Sequence, residues 1–112
     1  MTAWIWIPIL LGFAWMIWQR RGLSTEQLTT LMARGAQVVD VRSPAEFRGG
    51  HVQGSKNIPL DQIQARSKEL DPARPVVLCC ASGSRSGMAV SLLKRQGFTD
   101  VHNAGPWTAL RS

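Results

Sequence analysis

The sequence is poor in cysteine. Only two of its 112 residues are cysteines, Cys79 and Cys80, and they are neighbours. Adjacent Cα atoms lie about 3.8 Å apart, less than the roughly 4.4 to 6.8 Å that a disulfide normally spans. A disulfide framework is therefore excluded, and a reducing compartment is the simpler interpretation. A chain of this length also leaves room for one domain and not for a multidomain enzyme.

Acidic residues are also few, since 7 Asp and Glu stand against 13 Lys and Arg, for a net charge of +6. The basic residues are scattered and are not interleaved with aromatic side chains, so no nucleic-acid partner is expected. An anionic small-molecule substrate is compatible with this charge. Arg20 and Arg21 contribute two of the basic residues, so residues 22–112 carry about +4.

The N-terminal segment lacks charged side chains before Arg20, and every residue from Ala3 to Trp18 is apolar. A helix over residues 1–18 would rise about 27 Å, close to a hydrocarbon core of about 30 Å. Tryptophans lie near both ends of this segment, where their rings would sit among the lipid headgroups on the two sides of the membrane. A signal peptide is disfavoured because no positive region precedes the run and no small-residue cleavage site follows it. We therefore predict a transmembrane anchor with a basic flank over residues 1–21, with residues 3–18 in the membrane.

The orientation of this anchor follows from Arg20 and Arg21, which come directly after the apolar run. The positive-inside rule places that end on the cytoplasmic side. The expected location is the inner or plasma membrane, single-pass, with the domain of residues 22–112 facing the cytoplasm. Gly12 and Ala14 leave small-residue gaps through which a partner helix in the membrane could pack.

Helix and strand signals alternate through residues 22–112. Apolar runs at Val38–Val41 and Val76–Cys79 predict buried strands, with a weaker extended piece near Lys56–Ile58 and a last short strand around Phe98 and Val101, before a turn at residues 105–107. Helices are expected after the Ser24–Gln27 capping box, at Ser43-Pro44, over Asp61–Leu70 and over Met88–Gln96. This order predicts an α/β fold with a mostly parallel central sheet flanked by helices.

The chemistry is expected where the second buried strand ends. Cys80 to Ser86 form a Gly/Ser-rich loop before an amphipathic helix, and open α/β sheets bind ligands at such strand ends. Backbone N–H groups and the helix dipole stabilise an anion there. If the anion is the sulfur of Cys80, its pKa falls and the thiolate becomes a nucleophile. Arg85 adds a permanent charge that can hold an oxyanion.

Several motifs in order resemble the rhodanese family, over roughly residues 24 to 108. They are Val39-Asp40-Val41-Arg42 with Pro44, Glu46 and Phe47, then Gly50-His51-Val52 with Gly54, Asn57-Ile58-Pro59-Leu60, the stretch from Val76 to Ser86, Leu92-Leu93, Gly97-Phe98, Val101, and Asn103-Ala104-Gly105 before Trp107. The resemblance implies a rhodanese-like domain over residues 22–112 with thiosulfate sulfurtransferase activity.

By the same resemblance, Cys80 would take the outer sulfur of thiosulfate or a similar small anionic donor, hold it as a persulfide, and pass it to a thiol or cyanide-like acceptor. Substrate binding would fall to Ala81, Ser82, Gly83, Ser84, Arg85 and Ser86, with backbone amides around the persulfide and Arg85 on the anion. No metal and no organic cofactor is expected, because sulfur is both nucleophile and leaving group. His51, Asp40 and Arg42 are expected to be structural.

Two other functions stay open at this point. If Cys79 is the nucleophile, the segment that ends at Ser86 has the pattern Cys-x5-Arg-Ser, which is the spacing of cysteine-dependent phosphatases. If Cys80 is the nucleophile, the segment is a six-residue loop of the sulfurtransferase type. The length of the strand favours Cys80 as the nucleophile. No aspartate is assigned as the general acid that cleavage of a phosphate ester requires. Cys79 would then fill core volume or resolve a persulfide. The second alternative is a membrane-tethered module that relays persulfide sulfur or docks a partner without turning over free thiosulfate.

Overall fold

A computed structural model describes residues 22–110 of the chain. Its strands are β1 (Gln37–Asp40), β2 (Lys56–Asn57), β3 (Val76–Cys80) and β4 (Val101–Pro106). Its α-helices are α1 (Thr25–Ala33), α2 (Pro44–Arg48), α3 (Ile63–Arg66) and α4 (Ser84–Arg95), with 3-10 turns at Leu60–Gln62, Ser67–Glu69 and Trp107–Leu110. The four strands form a parallel sheet in the order β2-β1-β3-β4. The expected α/β fold with a parallel sheet flanked by helices is confirmed.

The predicted membrane anchor, residues 1–21, lies outside the described residues. Between Gly22 and Leu110, none of the helices combines the length and the hydropathy needed to cross a bilayer. The anchor and its partner helix therefore stay predictions from the sequence.

Helix α1 begins with the capping box that its sequence predicts, and α2, for which only a helix start at Ser43-Pro44 is predicted, begins with a second one. The Ser24 hydroxyl accepts the N–H of Gln27, while the Gln27 side chain accepts the N–H of Ser24. Ser43 and Glu46 make the same exchange at the start of α2. Such an exchange satisfies two N–H groups that a helix start leaves unpaired. At α2 it also fixes the Glu46 carboxylate in position.

The side chains of β3 alternate between two cores. One set, which ends at Cys80, packs with Leu93 of α4. The other set, which ends at Cys79, packs with Leu31 of α1 on the opposite face of the sheet. Both cysteines are fully buried. Because successive strand residues point to opposite faces, two neighbouring thiols lie in different environments.

The expected continuous helix over Asp61–Leu70 is wrong. Only its middle part, α3, is α-helical, and 3-10 turns flank it. The Ser67 hydroxyl donates at 3.1 Å to the Gln64 carbonyl, and such serine-to-backbone bonds compete with helix continuation. The apolar spacing still predicts burial correctly, because Ile63 and Leu70 are both in the core.

Two boundaries near the expected site also differ from the sequence prediction. Helix α4 begins at Ser84 and not near Met88, so its first turn includes residues expected in the loop. Strand β4 continues through Gly105 and Pro106, which were expected in a turn. The register with β3 shifts so that Ala104 has no partner there. This is a β-bulge, which bends a strand locally and commonly lies beside active sites.

A buried ion pair holds the end of β1. The Arg42 guanidinium donates to both carboxylate oxygens of Asp40 at 2.7 to 3.0 Å, and these side chains are 5% and 0% exposed. Arg42 also donates to the Gly50 carbonyl at 2.7 Å and lies 4.6 Å from the ring centroid of Trp107. Its hydrogen bonds to Asp40 raise the pKa of Arg42. Asp40 and Arg42 are structural, as expected, because they tie the end of β1 to the loop at Gly50.

We predict that Arg42→Met lowers the free energy of unfolding by about 3 to 5 kcal/mol, because it leaves the Asp40 carboxylate buried without its partner. The matched control is Arg34→Met, which removes an exposed ion pair with Asp100 and should cost less than about 1 kcal/mol. Urea unfolding followed by tryptophan fluorescence measures both. Equal losses in the two variants would contradict the role given to the buried pair.

Candidate active site

Cys80 is the last residue of β3, and the short loop Ala81–Gly83 leads from it into α4. Gly83 is the N-cap of α4 and has a φ of 103°, in the left-handed region that favours glycine. It provides no side chain to cap the helix. Its N–H instead donates to the Cys80 sulfur at 2.8 Å. The start of α4 therefore directs hydrogen-bond donors at the expected nucleophile.

The pKa of Cys80 reflects two opposing effects. Burial disfavours the thiolate and raises the pKa, whereas hydrogen bonds from the Ser86 hydroxyl and from the backbone N–H groups of Ser86, Gly83 and Ser82 lower it. The hydrogen bonds prevail, so the pKa of Cys80 lies below its ordinary value. The Ser86 Oγ atom lies 3.4 Å from the sulfur. A thiolate at this position is a ready nucleophile.

Asn103 on β4 supports this arrangement from the neighbouring strand. Its Nδ2 donates to the Gly83 carbonyl at 3.0 Å, and its Oδ1 accepts the Ser86 hydroxyl at 2.6 Å and the Gly105 N–H at 2.8 Å. A hydroxyl has one proton to donate, so Asn103 Oδ1, the Gly83 carbonyl oxygen and the Cys80 sulfur compete for that of Ser86. Ionisation strengthens the sulfur as an acceptor. Asn103 thus positions two residues that donate to the sulfur.

Three glycines pack the loop against β4 and the start of the described chain. A Cβ atom on Gly83 would lie 3.2 Å from the Cα of Gly105. A Cβ atom on Gly22 would lie 2.5 Å from the carbonyl oxygen of Ala104. Both distances are too short for ordinary side-chain contact, so the backbones touch directly. The loop Ala81–Gly83 is therefore in backbone contact with β4, and β4 with Gly22.

Arg85 is already paired in the resting structure, although the sequence suggested that it would hold the substrate anion. Its Nη1 and Nη2 atoms donate to the two carboxylate oxygens of Glu46 at 2.7 and 3.0 Å. These bonds, followed by the backbone N–H of Ser43, lower the pKa of Glu46 to about 2. The same hydrogen bonds to Glu46 raise the pKa of Arg85, and the negative charge of Cys80 raises it further. Arg85 therefore interacts electrostatically with the thiolate and by hydrogen bonds with Glu46.

Cys79 has none of the character of a nucleophile. It faces the core on the α1 side of the sheet, and burial followed by the charge of Asp40 raises the pKa of its thiol to about 12. This environment argues against Cys79 as the attacking residue, on which the phosphatase interpretation depends. The expectation that it fills core volume fits its full burial.

The other predicted site residues differ in whether they donate a hydrogen bond to the Cys80 sulfur. Gly83 and Ser86 donate to it directly. Ala81 and Ser84 are exposed, and the Ser84 hydroxyl pairs with that of Ser82 at 2.9 Å. The side chains of the loop thus contribute mainly through Ser86, and the backbone supplies the rest.

His51 has a structural environment, as expected. Its ring stacks on Phe47 with centroids 3.7 Å apart, and its Nδ1 lies 2.7 Å from the Phe47 carbonyl oxygen. Within residues 22–110, no group of three or more His, Cys, Asp or Glu side chains is placed to hold a metal ion. Sequence reasoning assigned no role to Glu46 or Asn103, although both belong to the motifs of the family resemblance.

Two cavities lie near this region. A cleft of about 470 Å³ opens beside Arg85 and is also lined by Val41, Ser43, Pro44, Pro59, Leu60, Asp61 and Gln62. A larger groove of about 740 Å³ lies between α1 and α4, where its described lining includes Gln27, Lys94 and Asn103 and no residue from Cys80 to Ser86. Of these two, the cleft beside Arg85 reaches the first turn of α4.

A model of the Rhodanese-like domain matches residues 24–105. The chain belongs to this family. It is 39% identical over 97 residues to the uncharacterized protein YqhL of Bacillus subtilis, covering 85% of this chain and 77% of that protein. It is 36% identical over 81 residues to the thiosulfate sulfurtransferase GlpE of Pseudomonas aeruginosa, and the match covers 72% of this chain and 74% of that protein. A solved rhodanese with anions from E. coli superposes with a TM-score of 0.64 at 35% identity, covering 68% of this chain and 92% of that one.

We predict that Ser86→Ala raises the pKa of Cys80, because the charged sulfur loses the hydrogen bond from the Ser86 hydroxyl, and the pH profile of its alkylation moves to higher pH. The rate of alkylation by iodoacetamide, measured against pH, reports the thiolate. Ser91→Ala is the matched control, since Ser91 is an exposed residue of the same helix. A profile that is unchanged in Ser86→Ala, or that moves equally in both variants, would contradict the prediction.

Proposed function

We propose that this protein is a rhodanese-type sulfurtransferase, which moves a sulfane sulfur from thiosulfate or a similar anionic donor to a thiol or cyanide-like acceptor through a persulfide on Cys80. The observation that carries the proposal is the Cys80 sulfur at the start of α4, with the Gly83 N–H and the Ser86 hydroxyl directed at it. The curated relatives named thiosulfate sulfurtransferase support it at the level of the family.

The reaction consists of two displacements at sulfur. The Cys80 thiolate attacks the outer sulfur of thiosulfate, a new S–S bond forms, the old one breaks, and sulfite leaves with the bonding electron pair. A thiolate or cyanide acceptor then attacks the outer sulfur of the persulfide, and Cys80 leaves as thiolate. The lowered pKa of Cys80 favours this second step, because a thiol of low pKa is the better leaving group.

The backbone of the loop suits the charge that this chemistry produces. The outer sulfur of a persulfide is an anion, and the N–H groups at the start of α4 lie where such a charge is stabilised. The Cys80 side chain has no exposed surface in the resting structure. A donor therefore reaches the sulfur only after the side chains or the loop at the mouth of the site move. The exposed residues Ala81 and Ser82 are the natural part to move.

Intact mass spectrometry of the full chain after exposure to thiosulfate tests the persulfide. We expect a gain of one sulfur atom in the wild type and in Cys79→Ser, and no gain in Cys80→Ser. The Cys79→Ser variant is the matched control, because it removes the same atom one residue away on the opposite face of the sheet. An adduct that requires Cys79, or no adduct at all, would overturn the proposal.

Steady-state kinetics separate an independent enzyme from a relay. Turnover that saturates with thiosulfate and transfers sulfur to cyanide identifies an enzyme that acts alone. A persulfide that forms on Cys80 but turns over only with a donor protein present identifies a relay module.

We also propose that residues 3–18 anchor the protein in the inner or plasma membrane with the catalytic domain in the cytoplasm. The uninterrupted apolar run, its tryptophans and the two arginines that follow it support this location. The adjacent cysteines are consistent with a reducing compartment.

A reporter fused after Ser112 tests the topology. We expect the activity of a cytoplasmic reporter and no activity of a reporter that works only after export. Glutamates in place of Arg20 and Arg21 should weaken this preference, since they remove the positive flank. An active exported reporter on the wild-type chain would contradict the proposed orientation.

A further inference from the structure

We infer that Glu46 determines which donors the site accepts, by holding Arg85 and so disfavouring dianions such as thiosulfate relative to persulfide donors of lower charge. The inference rests on the proposed sulfurtransferase function and names the substrate class of that site. Glu46 is 38% exposed and Arg85 37%, so both groups are accessible to an incoming anion, whereas Cys80 is fully buried.

The topology of the sheet brings the two residues together. Strands β1 and β3 are parallel neighbours. Helices α2 and α4, which follow them in the chain, therefore both start at the carboxyl ends of the strands. Glu46 lies in the first turn of α2 and Arg85 in the first turn of α4. Their side chains meet in a bidentate pair, the strongest geometry available between a guanidinium and a carboxylate.

Glu46 is fixed in this position by more than Arg85. Its Oε1 atom also accepts the N–H of Ser43 at 3.2 Å and the Ser43 hydroxyl at 3.1 Å. The capping box of α2 thus holds the carboxylate against Arg85. An incoming anion has to compete with a carboxylate that is already in place, and does not meet a free guanidinium.

The charge balance around Arg85 explains the selectivity. The guanidinium has five N–H groups and gives two of them to Glu46, so it can still touch a ligand. Its positive charge, however, is opposed by the Glu46 carboxylate and by the Cys80 thiolate, which both interact with it. A dianion approaching this site is repelled more strongly than a donor with one negative charge or none.

Glu46→Gln removes the charge and keeps the fold of α2. A capping box accepts Gln in place of Glu, and this chain already uses Gln27 in the same way at the start of α1. Glu69→Gln is the matched control, because Glu69 pairs with Arg66 and Lys56 away from the sulfur and its pKa is likewise lowered to about 2 by them. The two variants change the net charge equally.

The test compares alkylation of Cys80 in the full chain by iodoacetate, an anion, with alkylation by neutral iodoacetamide. In both reactions the thiolate displaces iodide and forms a C–S bond. We expect the ratio of the two rates to rise about three- to ten-fold in Glu46→Gln. Glu69→Gln should leave the ratio close to that of the wild type, and Arg85→Gln should lower it.

Thiosulfate kinetics then connect this charge effect to the proposed reaction. In Glu46→Gln the KM for thiosulfate should fall by a similar factor while kcat changes little, because only the binding of the anion improves. A small-molecule persulfide donor should show a smaller change in KM. Circular dichroism and thermal melting establish that both glutamine variants keep the fold.

The inference is overturned if the alkylation ratio stays unchanged in Glu46→Gln, if it rises equally in Glu69→Gln, or if the KM for thiosulfate rises. A rise in KM would mean that Glu46 orients Arg85 for the substrate and does not compete with it. The alkylation ratio requires no sulfur transfer. If the ratio shifts as expected but thiosulfate yields no persulfide, the charge effect of Glu46 stands, and the sulfurtransferase proposal and the donor preference derived from it fail.

Discussion

The chemistry of this protein depends on the alternation of side chains along β3. The strand ends in two cysteines, and its two-residue repeat sends one to each face of the sheet. Cys80 reaches the donors at the start of α4, whereas Cys79 is enclosed by apolar side chains. Their pKa values move in opposite directions for this reason. A slip of one residue in the register of β3 would exchange the two environments.

The three longer helices use their N-termini differently. The first two are capped by their own serines, Ser24 and Ser43, which satisfy N–H groups within the helix. Helix α4 has Gly83 as its N-cap, which has no side chain to cap it, and N–H groups at this end of the helix donate to the sulfur of Cys80. The absence of a side-chain cap at α4 thus leaves the anion site open.

Local patterns in the sequence predict much of this structure. The capping box of α1, the start of α2, the two buried strands and the position of Cys80 depend on residues close together in the chain. The partners of the site residues do not, because Arg85 and Glu46 are 39 positions apart and Ser86 and Asn103 are 17 apart. Such pairs follow only from the order of the strands, which places β1 and β4 on either side of β3.

The packing of glycines beside the active site has a mechanical consequence. Gly22 lies against Ala104 and Gly105, and Gly105 lies against Gly83 of the catalytic loop. Backbone contacts of this kind are stiffer than contacts through long side chains, which yield by changing rotamer. A side chain added at Gly22 or Gly83 would therefore have to displace the backbone of β4, so the position of the loop after Cys80 is set by direct backbone contact with that strand and not by adjustable side chains.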